Sequence, residues 1–322
     1  MLVPVLLFIL GLVLLIKGGD WFVDGATGIA HRFHLPELLI GATVVSIGTT
    51  LPEVMVSATS AMTGHGEIAY GNAIGSIICN TALIAAITIT VRPGPVDPKT
   101  LKKPVLFFFG SAAFYMFSAY VTGYFSRWVG IVLLCIFALY MVITIRDAFR
   151  NPEPEDHGYL CAEGPKAIGR EILLLVIGAA LIAVGADLLV DNGTLIAKAL
   201  GVPESVIALT IVALGTSLPE LVTAITSLAK GHGALSLGNV IGANIFNLVL
   251  VGGVSVSLAP FSVPCSSTIF GRNASLMLDI PVMILVMALM TLPALAKKKL
   301  SRWQGVALLG IYAAFCVIQF AM

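Results

Sequence analysis

Gly48-Thr49-Thr50-Leu51-Pro52-Glu53 returns as Gly215-Thr216-Ser217-Leu218-Pro219-Glu220, and both copies sit inside long apolar segments. A carboxylate within a bilayer is costly, from roughly 3 to over 10 kcal/mol near the centre, so such a residue marks a functional site by default. Here there are two, each directly after a helix-breaking proline and each in the equivalent place of its half. The pair points to a two-carboxylate site for a cation.

Composition sets the broad class. Hydrophobic residues make up 58% of the chain, charged ones 11%, and mean hydropathy is +1.01, which excludes an ordinary soluble domain. Apolar runs at 3–16, 105–121, 129–145 and 275–295 approach or complete the roughly 20 residues of a span. The chain reads as a multi-pass protein of the plasma (inner) membrane. Its start has no basic stretch and no small-residue cleavage site, so it reads as a first span and not as a signal peptide. A net charge of +1 without a basic face gives no sign of nucleic-acid binding. Cys79, Cys135, Cys161, Cys265 and Cys316 lack CxxC spacing and read as packing residues, with Cys79 directly beside a candidate site residue.

The repeat extends well beyond the motif. At the 167-residue offset that separates Glu53 from Glu220, Asp20 meets Asp187, Asp24 meets Asp191, and Pro36-Glu37 meets Pro203-Glu204. Without a gap, Thr43 then meets Thr210, Gly64-His65-Gly66 meets Gly231-His232-Gly233, Gly71-Asn72 meets Gly238-Asn239, Gly75 meets Gly242, and Asn80 meets Asn247. The chain therefore divides into a first repeat (1–148), a polar, proline-bearing linker (149–167) and a second repeat (168–322). Each repeat reads as five spans: 3–29, 37–62, 67–90, 104–121 and 127–147, then 169–197, 204–229, 234–257, 274–295 and 302–321. The fold class expected is an all-α membrane protein of about ten transmembrane helices. An odd number of spans per repeat inverts the second copy relative to the first, an architecture of secondary transporters. Alternate loops divide the Lys and Arg residues fourteen to three, which places both termini outside and the linker in the cytoplasm.

Thr49 and Glu53, like Thr216 and Glu220, lie four residues apart and share a helix face. Pro52 and Pro219 donate no backbone hydrogen bond, which leaves the carbonyls of Gly48 and Gly215 without their usual partner and predicts a broken helix. Irregular backbone at membrane depth is tolerated only where it is buried in protein or lines a cavity. The next span adds a polar stripe, Asn72, Ser76 and Asn80, mirrored by Asn239, Ala243 and Asn247. Calcium takes six to eight oxygens from carboxylates, amides and backbone, and this set matches that demand. Nitrogen and sulfur ligands for zinc or copper are missing from it. Two carboxylates balance one Ca²⁺, and Na⁺ or protons are alternative occupants. The glycines at 71, 75, 238 and 242 read as permitting close helix packing.

Other repeated groups read differently. Asp20, Asp24, Asp187 and Asp191 fall near a membrane interface by helix length and read as caps or interface anchors, with Lys17 snorkelling or pairing with Asp20. His65 and His232, within Gly-His-Gly, read as turn residues and not as a proton relay.

With their following Gly-Asn-x-x-Gly-x-x-x-x-Asn segments (71–80 and 238–247), the two motifs resemble the α-repeats of the cation/calcium exchanger superfamily, and within it the bacterial and archaeal calcium/sodium antiporters of the sodium/calcium exchanger family. The resemblance covers nearly the whole chain. It implies a ten-helix inverted repeat with four central helices around the ions, and two long tilted helices (3–29 and 169–197) sliding as a gate. It also implies that Glu53 and Glu220 bind both Ca²⁺ and Na⁺. Thr49, Thr50, Thr216, Ser217, Ser76, Asn80 and Asn247 would then supply neutral oxygens, and Ser46 and Ala213 backbone carbonyls. Two departures stand out: Ala243 where some relatives have a serine, and Asn247 where some have an aspartate.

The expectation is a Ca²⁺/Na⁺ antiporter working by alternating access, needing no cofactor and no obligate protein partner besides the lipid bilayer. A Ca²⁺/H⁺ antiporter using the same two glutamates is the alternative. An intramembrane hydrolase would need an asymmetric acid, nucleophile or histidine constellation, and the sequence offers no HExxH and no paired intramembrane histidines. A passive channel would conduct without a counter-ion.

Overall fold

The computed structural model describes residues 2–150, 165–200, 215–265, 268–269 and 271–321. Residues 151–164 of the expected linker (149–167), the start of the span at 204–229, and the repeat positions Pro203, Glu204, Thr210 and Ala213 lie outside the described residues, as does Cys161.

The helical segments are α1 (Leu2–Arg32), α2 (Glu37–Met62), α3 (Gly66–Val91), α4 (Pro98–Thr122) and α5 (Arg127–Arg150), then α6 (Pro165–Ala199), α7 (Leu218–Ala229), α8 (Gly233–Leu258), α9 (Ser275–Lys297) and α10 (Arg302–Ala321). Eight of them are long and apolar enough to cross a membrane, and α7 is a shorter apolar helix. Among the described residues, strand pairing consists of two-residue ladders, β1 (Tyr124–Phe125) with β2 (Phe261–Ser262) and β3 (Thr268–Ile269) with β4 (Arg272–Asn273), and an isolated bridge between Pro95 and Lys299. The outer faces of the long helices carry exposed Leu6, Ile9, Val13 and Ile16 on α1 and Leu173 and Val176 on α6, as lipid contact requires.

Helix boundaries follow local chemistry. Asp97 caps α4 by accepting from Lys99 N at 2.9 Å, with Pro98 in the first turn where a missing N–H costs nothing. The Gly-His-Gly turns need their first glycine: Gly64 has φ +86° and Gly231 φ +93°, a left-handed conformation that side chains resist.

The longest helices, α1 and α6, pack against each other through repeat-related glycines. A Cβ placed at Gly11 would stand 2.8 Å from the Gly185 carbonyl, and one at Gly18 would stand 2.9 Å from the Gly178 carbonyl. Gly11 and Gly178 are equivalent in the repeat, as are Gly18 and Gly185, so the contact repeats itself about a local two-fold. Glycine allows this close backbone approach, the way helices associate where lipid competes for every apolar face. Phe22, Val23, Ala26 and Ile182 form one buried cluster with Ile40 and Val45 of α2 and Leu235 of α8. A second, larger cluster joins α3, α4, α5, α8 and α9 around Ile77, Phe108, Tyr140, Phe246 and Met287. Of the four glycines expected to permit close packing, Gly242 of α8 sits tightly over Ala42 and Ser46 and Gly238 over Leu38, whereas a Cβ at Gly71 or Gly75 would meet nothing within 4 Å.

Candidate ion site

The two copies of the motif solve the proline problem differently. Pro52 lies inside a continuous helical stretch, Ser46–Met62, whereas Pro219 stands in the first turn of α7 after a turn at Thr216 and Ser217. The break expected in both halves is seen beside the second motif only. A first-turn proline loses no hydrogen bond, while an interior one must leave a carbonyl of the preceding turn unbonded. Upstream of Pro52, α2 widens into a π-helical turn at Gly41–Val45. Two further π-turns begin at Asn80 (Asn80–Ala85) and at Asn247 (Asn247–Val251), the repeat-equivalent asparagines. Such bulges leave backbone groups out of regular register and often mark functional positions.

Glu53 and Glu220 are both fully buried and close enough for each charge to act on the other. Glu220 Oε1 accepts from Thr50 Oγ1 at 3.5 Å, and the Thr49 hydroxyl also reaches this carboxylate. Both oxygens of Glu53 and Oε2 of Glu220 are buried without a protein hydrogen-bond partner. So are the amide oxygens and nitrogens of Asn80 and Asn247 and the Ser217 hydroxyl. Buried polar atoms are almost always partnered, so orphaned oxygens on two buried carboxylates, with orphaned amides at Asn80 and Asn247, are free to take a positively charged ligand.

The other expected residues that are described are also withdrawn from solvent. Ser46, Thr49, Thr50 and Ser76 are buried, and Thr216 is half-buried. The halves cross-link through their asparagines. Thr49 donates to Asn239 Oδ1 at 3.3 Å, and the repeat-equivalent Thr216 donates to Asn72 Oδ1 at 3.4 Å. Asn72 Nδ2 also holds the Glu53 carbonyl at 3.2 Å and Ser57 Oγ at 2.7 Å. Ser46 Oγ is tied to the carbonyls of Gly41 at 2.7 Å and Asn239 at 3.0 Å, which leaves its own carbonyl as the group it could offer an ion. Tyr312 donates its hydroxyl to Cys79 Sγ at 3.9 Å.

The sequence reading missed several buried polar groups. Asn244 donates to Thr81 Oγ1 at 2.7 Å and leaves its Oδ1 unpartnered, while Thr223 and Ser227 are buried beside Glu220 on α7 with orphan hydroxyls. Asn244 and Thr223 stand opposite Ile77 and Val56 in the repeat, so a search for matched residues passes over them. Asp20 and Asp24 do act as anchors: Lys230 Nζ pairs with Asp24 Oδ1 at 2.7 Å and Asp20 Oδ1 at 3.5 Å.

A narrow cleft lined by Phe22, Gly48, Thr49, Pro52, Ala179 and Pro219 separates the α1–α6 pair from the two motifs. The arrangement offers hard oxygen donors, two negative charges and no nucleophile–base pair, which suits binding of a hard cation and no covalent chemistry.

A family model described as sodium/calcium exchanger protein matches residues 3–146 and 170–321. The chain is 35% identical over 307 residues to a membrane protein of Methanocaldococcus jannaschii, covering 95% of this chain and 94% of that one. It is 30% identical over 356 residues to the sodium/calcium exchanger MaX1 of Methanosarcina acetivorans, covering 98% of each. Among solved structures, the sodium-calcium exchanger NCX_Mj soaked with Na⁺ and Sr²⁺ superposes with a TM-score of 0.81 at 33% identity, covering 97% of both chains. NCX_Mj soaked with Na⁺ and Ca²⁺ gives 0.80 at 32%, covering 100% of this chain and 98% of that one.

Proposed function

Because the chain belongs to the sodium/calcium exchanger family, a family of membrane cation antiporters, we propose that it exchanges Ca²⁺ for Na⁺ across the plasma membrane at the Glu53–Glu220 centre. The observation that carries this reading is the pair of facing, fully buried carboxylates with three unpartnered oxygens, ringed by unpartnered amides. One Ca²⁺ cancels both charges and takes its oxygens from Glu53, Glu220, Asn80, Asn247, Thr49 and Thr216. Thr50, Ser217, Ser76 and the backbone at Ser46 and Ala213 complete the sites that Na⁺ ions take in its place.

The two repeats, 1–148 and 168–322, run in opposite senses through the bilayer, with termini outside and the linker in the cytoplasm. This orientation follows the fourteen-to-three bias of basic loop residues. Exchange requires that a loaded site pass the apolar barrier and an unloaded one be held back. Two uncompensated carboxylates cannot be moved past Phe22 and the α1–α6 pair, and an ion-filled, neutral centre can. The glycine-packed α1–α6 pair moves as a unit over the other helices and opens the site to one side at a time.

Facing carboxylates also accept protons, so a Ca²⁺/H⁺ antiporter at the same centre is the second reading. Uptake of ⁴⁵Ca²⁺ into proteoliposomes loaded with Na⁺, beside vesicles carrying only a pH gradient, separates the two. Uptake that follows outward Na⁺ and disappears in Glu53→Gln supports Na⁺ coupling. Uptake that needs only the pH gradient transfers the coupling to protons. Uptake retained by both Glu53→Gln and Glu220→Gln refutes the site.

A further inference from the structure

At one end of the helix bundle, away from the two motifs, three metal-ligating side chains meet. His31 ends α1, Glu37 begins α2, and His232 lies in the Gly-His-Gly turn between α7 and α8. Their ligand atoms all fall within 4.8 Å of one another. His31 Nε2 is 3.8 Å from Glu37 Oε1, His232 Nδ1 is 2.6 Å from the same oxygen, and the two rings stand edge to face with centroids 6.4 Å apart. We propose that His31, Glu37 and His232 form a binding site for a divalent transition-metal ion of the zinc class, separate from the transport centre.

The geometry is near what such an ion needs. Bonds of about 2.0–2.2 Å in a tetrahedral zinc site put neighbouring ligand atoms about 3.3–3.5 Å apart. The His31–Glu37 separation is already close to that. The His232–Glu37 contact is a hydrogen bond and has to open by about 1 Å, within reach of a side-chain rotation. A fourth position remains for water. The side chains are 25%, 18% and 12% exposed, and Glu37 also lines a cavity of about 480 Å³ with Arg92, Asp97 and Ser236, so an ion has a path in. Nearby cations are matched elsewhere: Arg32 Nε lies 3.4 Å from Glu171 Oε2, and Lys230 pairs with Asp24.

Two imidazoles and one carboxylate favour zinc-like ions over Ca²⁺ or Na⁺, while the all-oxygen centre at Glu53 and Glu220 has the opposite preference. The two sites therefore sort ions. The three ligands come from α1, α2 and the α7–α8 turn, so a bound ion staples the end of α1 to the helices it must move across. On the exchange reading above, this makes zinc an inhibitor acting away from the transported ions.

The test is calorimetric titration of the purified full-length protein with ZnCl₂ in Ca²⁺-free buffer, beside ⁴⁵Ca²⁺ flux with and without zinc. Saturable zinc binding is expected to persist in Glu53→Gln and to weaken at least about tenfold in His31→Ala, His232→Ala and Glu37→Gln. Zinc slows flux in the unsubstituted chain and not in His31→Gln or His232→Gln, and zinc-free flux in these variants shows that they are folded. Zinc affinity unchanged by both histidine substitutions, or lost in Glu53→Gln alone, overturns the site. If no chain shows Ca²⁺ flux, the exchange reading fails and the titration alone decides the metal site.

Discussion

Replacing Gly178 with alanine tests whether α1 and α6 form one closely packed unit. A Cβ at Gly178 stands 2.5 Å from Phe22 N, 2.7 Å from Phe22 Cα and 2.8 Å from the Gly18 carbonyl oxygen. All three are backbone atoms of α1, so no side-chain rotation relieves the overlap. Carbon contacts settle near 3.5–4.0 Å, and the helices must part by about 1 Å. Overpacking of this kind costs about 1–3 kcal/mol. Alanine in place of a helical glycine returns about 1 kcal/mol of propensity, which leaves a net loss of about 0–2 kcal/mol. Gly110→Ala is the matched control, because that glycine is exposed on α4 with no heavy atom within 4 Å of its Cβ position. Thermal unfolding in detergent should show Gly178→Ala lowered by a few degrees and Gly110→Ala unchanged or raised. The Gly178→Ala chain should also transport more slowly, since Phe22 sits on the displaced stretch. Equal midpoints for the two variants would refute the close contact.

Glu53→Gln and Glu220→Gln each remove one of two charges from a divalent ion; with Ca²⁺–oxygen distances of about 2.4 Å and an effective dielectric of about 20, the gross Coulomb loss is about 14 kcal/mol. The amide oxygen recovers part of it, so Ca²⁺ affinity should fall by a factor on the order of 10³, and equilibrium ⁴⁵Ca²⁺ binding with a smaller loss in both variants would contradict the shared site. Phe22→Ala removes a buried ring that stands 3.0 Å from the Cβ position of Gly48. It should cost about 3 kcal/mol of stability and raise uncoupled Ca²⁺ leak from loaded vesicles; a leak equal to that of the unsubstituted chain would remove Phe22 from the barrier. Lys230→Met breaks the pairing with Asp20 and Asp24 at a part-exposed site. The expected cost is about 1 kcal/mol or less and should shrink as NaCl is raised, so a salt-independent cost would mean that packing and not charge holds α1 there.

Much of this was legible in the sequence because the repeat acts as its own comparison. The span expected at 37–62 is Glu37–Met62, and 234–257 is Gly233–Leu258, since uninterrupted apolar length decides both. Glu53, Glu220 and the asparagines at 80 and 247 were legible because each has a matched twin in an apolar setting. The same filter hid Asn244, Thr223 and the Lys230 pairing, whose twins are Ile77, Val56 and Thr63. It also hid the different fates of the two prolines, because hexapeptides that differ only at Thr50 and Ser217 predict the same break. Local sequence carries no record of whether a proline falls inside a helix or in its first turn; the packing around it settles that. In the His31–Glu37–His232 meeting, His31 and Glu37 are near neighbours in sequence but His232 joins them from 195 residues beyond Glu37, so no spacing rule could have found it.

The cross-links and the mismatches divide the work between binding and direction. Thr49 is held by Asn239 and Thr216 by Asn72, so neither motif is complete without an amide from the other half. On the proposed reading, the ion centre lies on the seam between the halves, where a shift of one against the other reaches every ligand. If the halves exchange roles, as an inverted repeat requires, matched residues contribute equally to both end states and cannot favour either. Only mismatched positions can. Lys230 binds Asp20 and Asp24 at one end, whereas its equivalent, Thr63, has no charge to offer Asp187 and Asp191. An ion pair worth about 1 kcal/mol shifts a two-state ratio by about fivefold. Such a contact is too weak to hold the fold together but strong enough to set which side of the membrane the unloaded site faces.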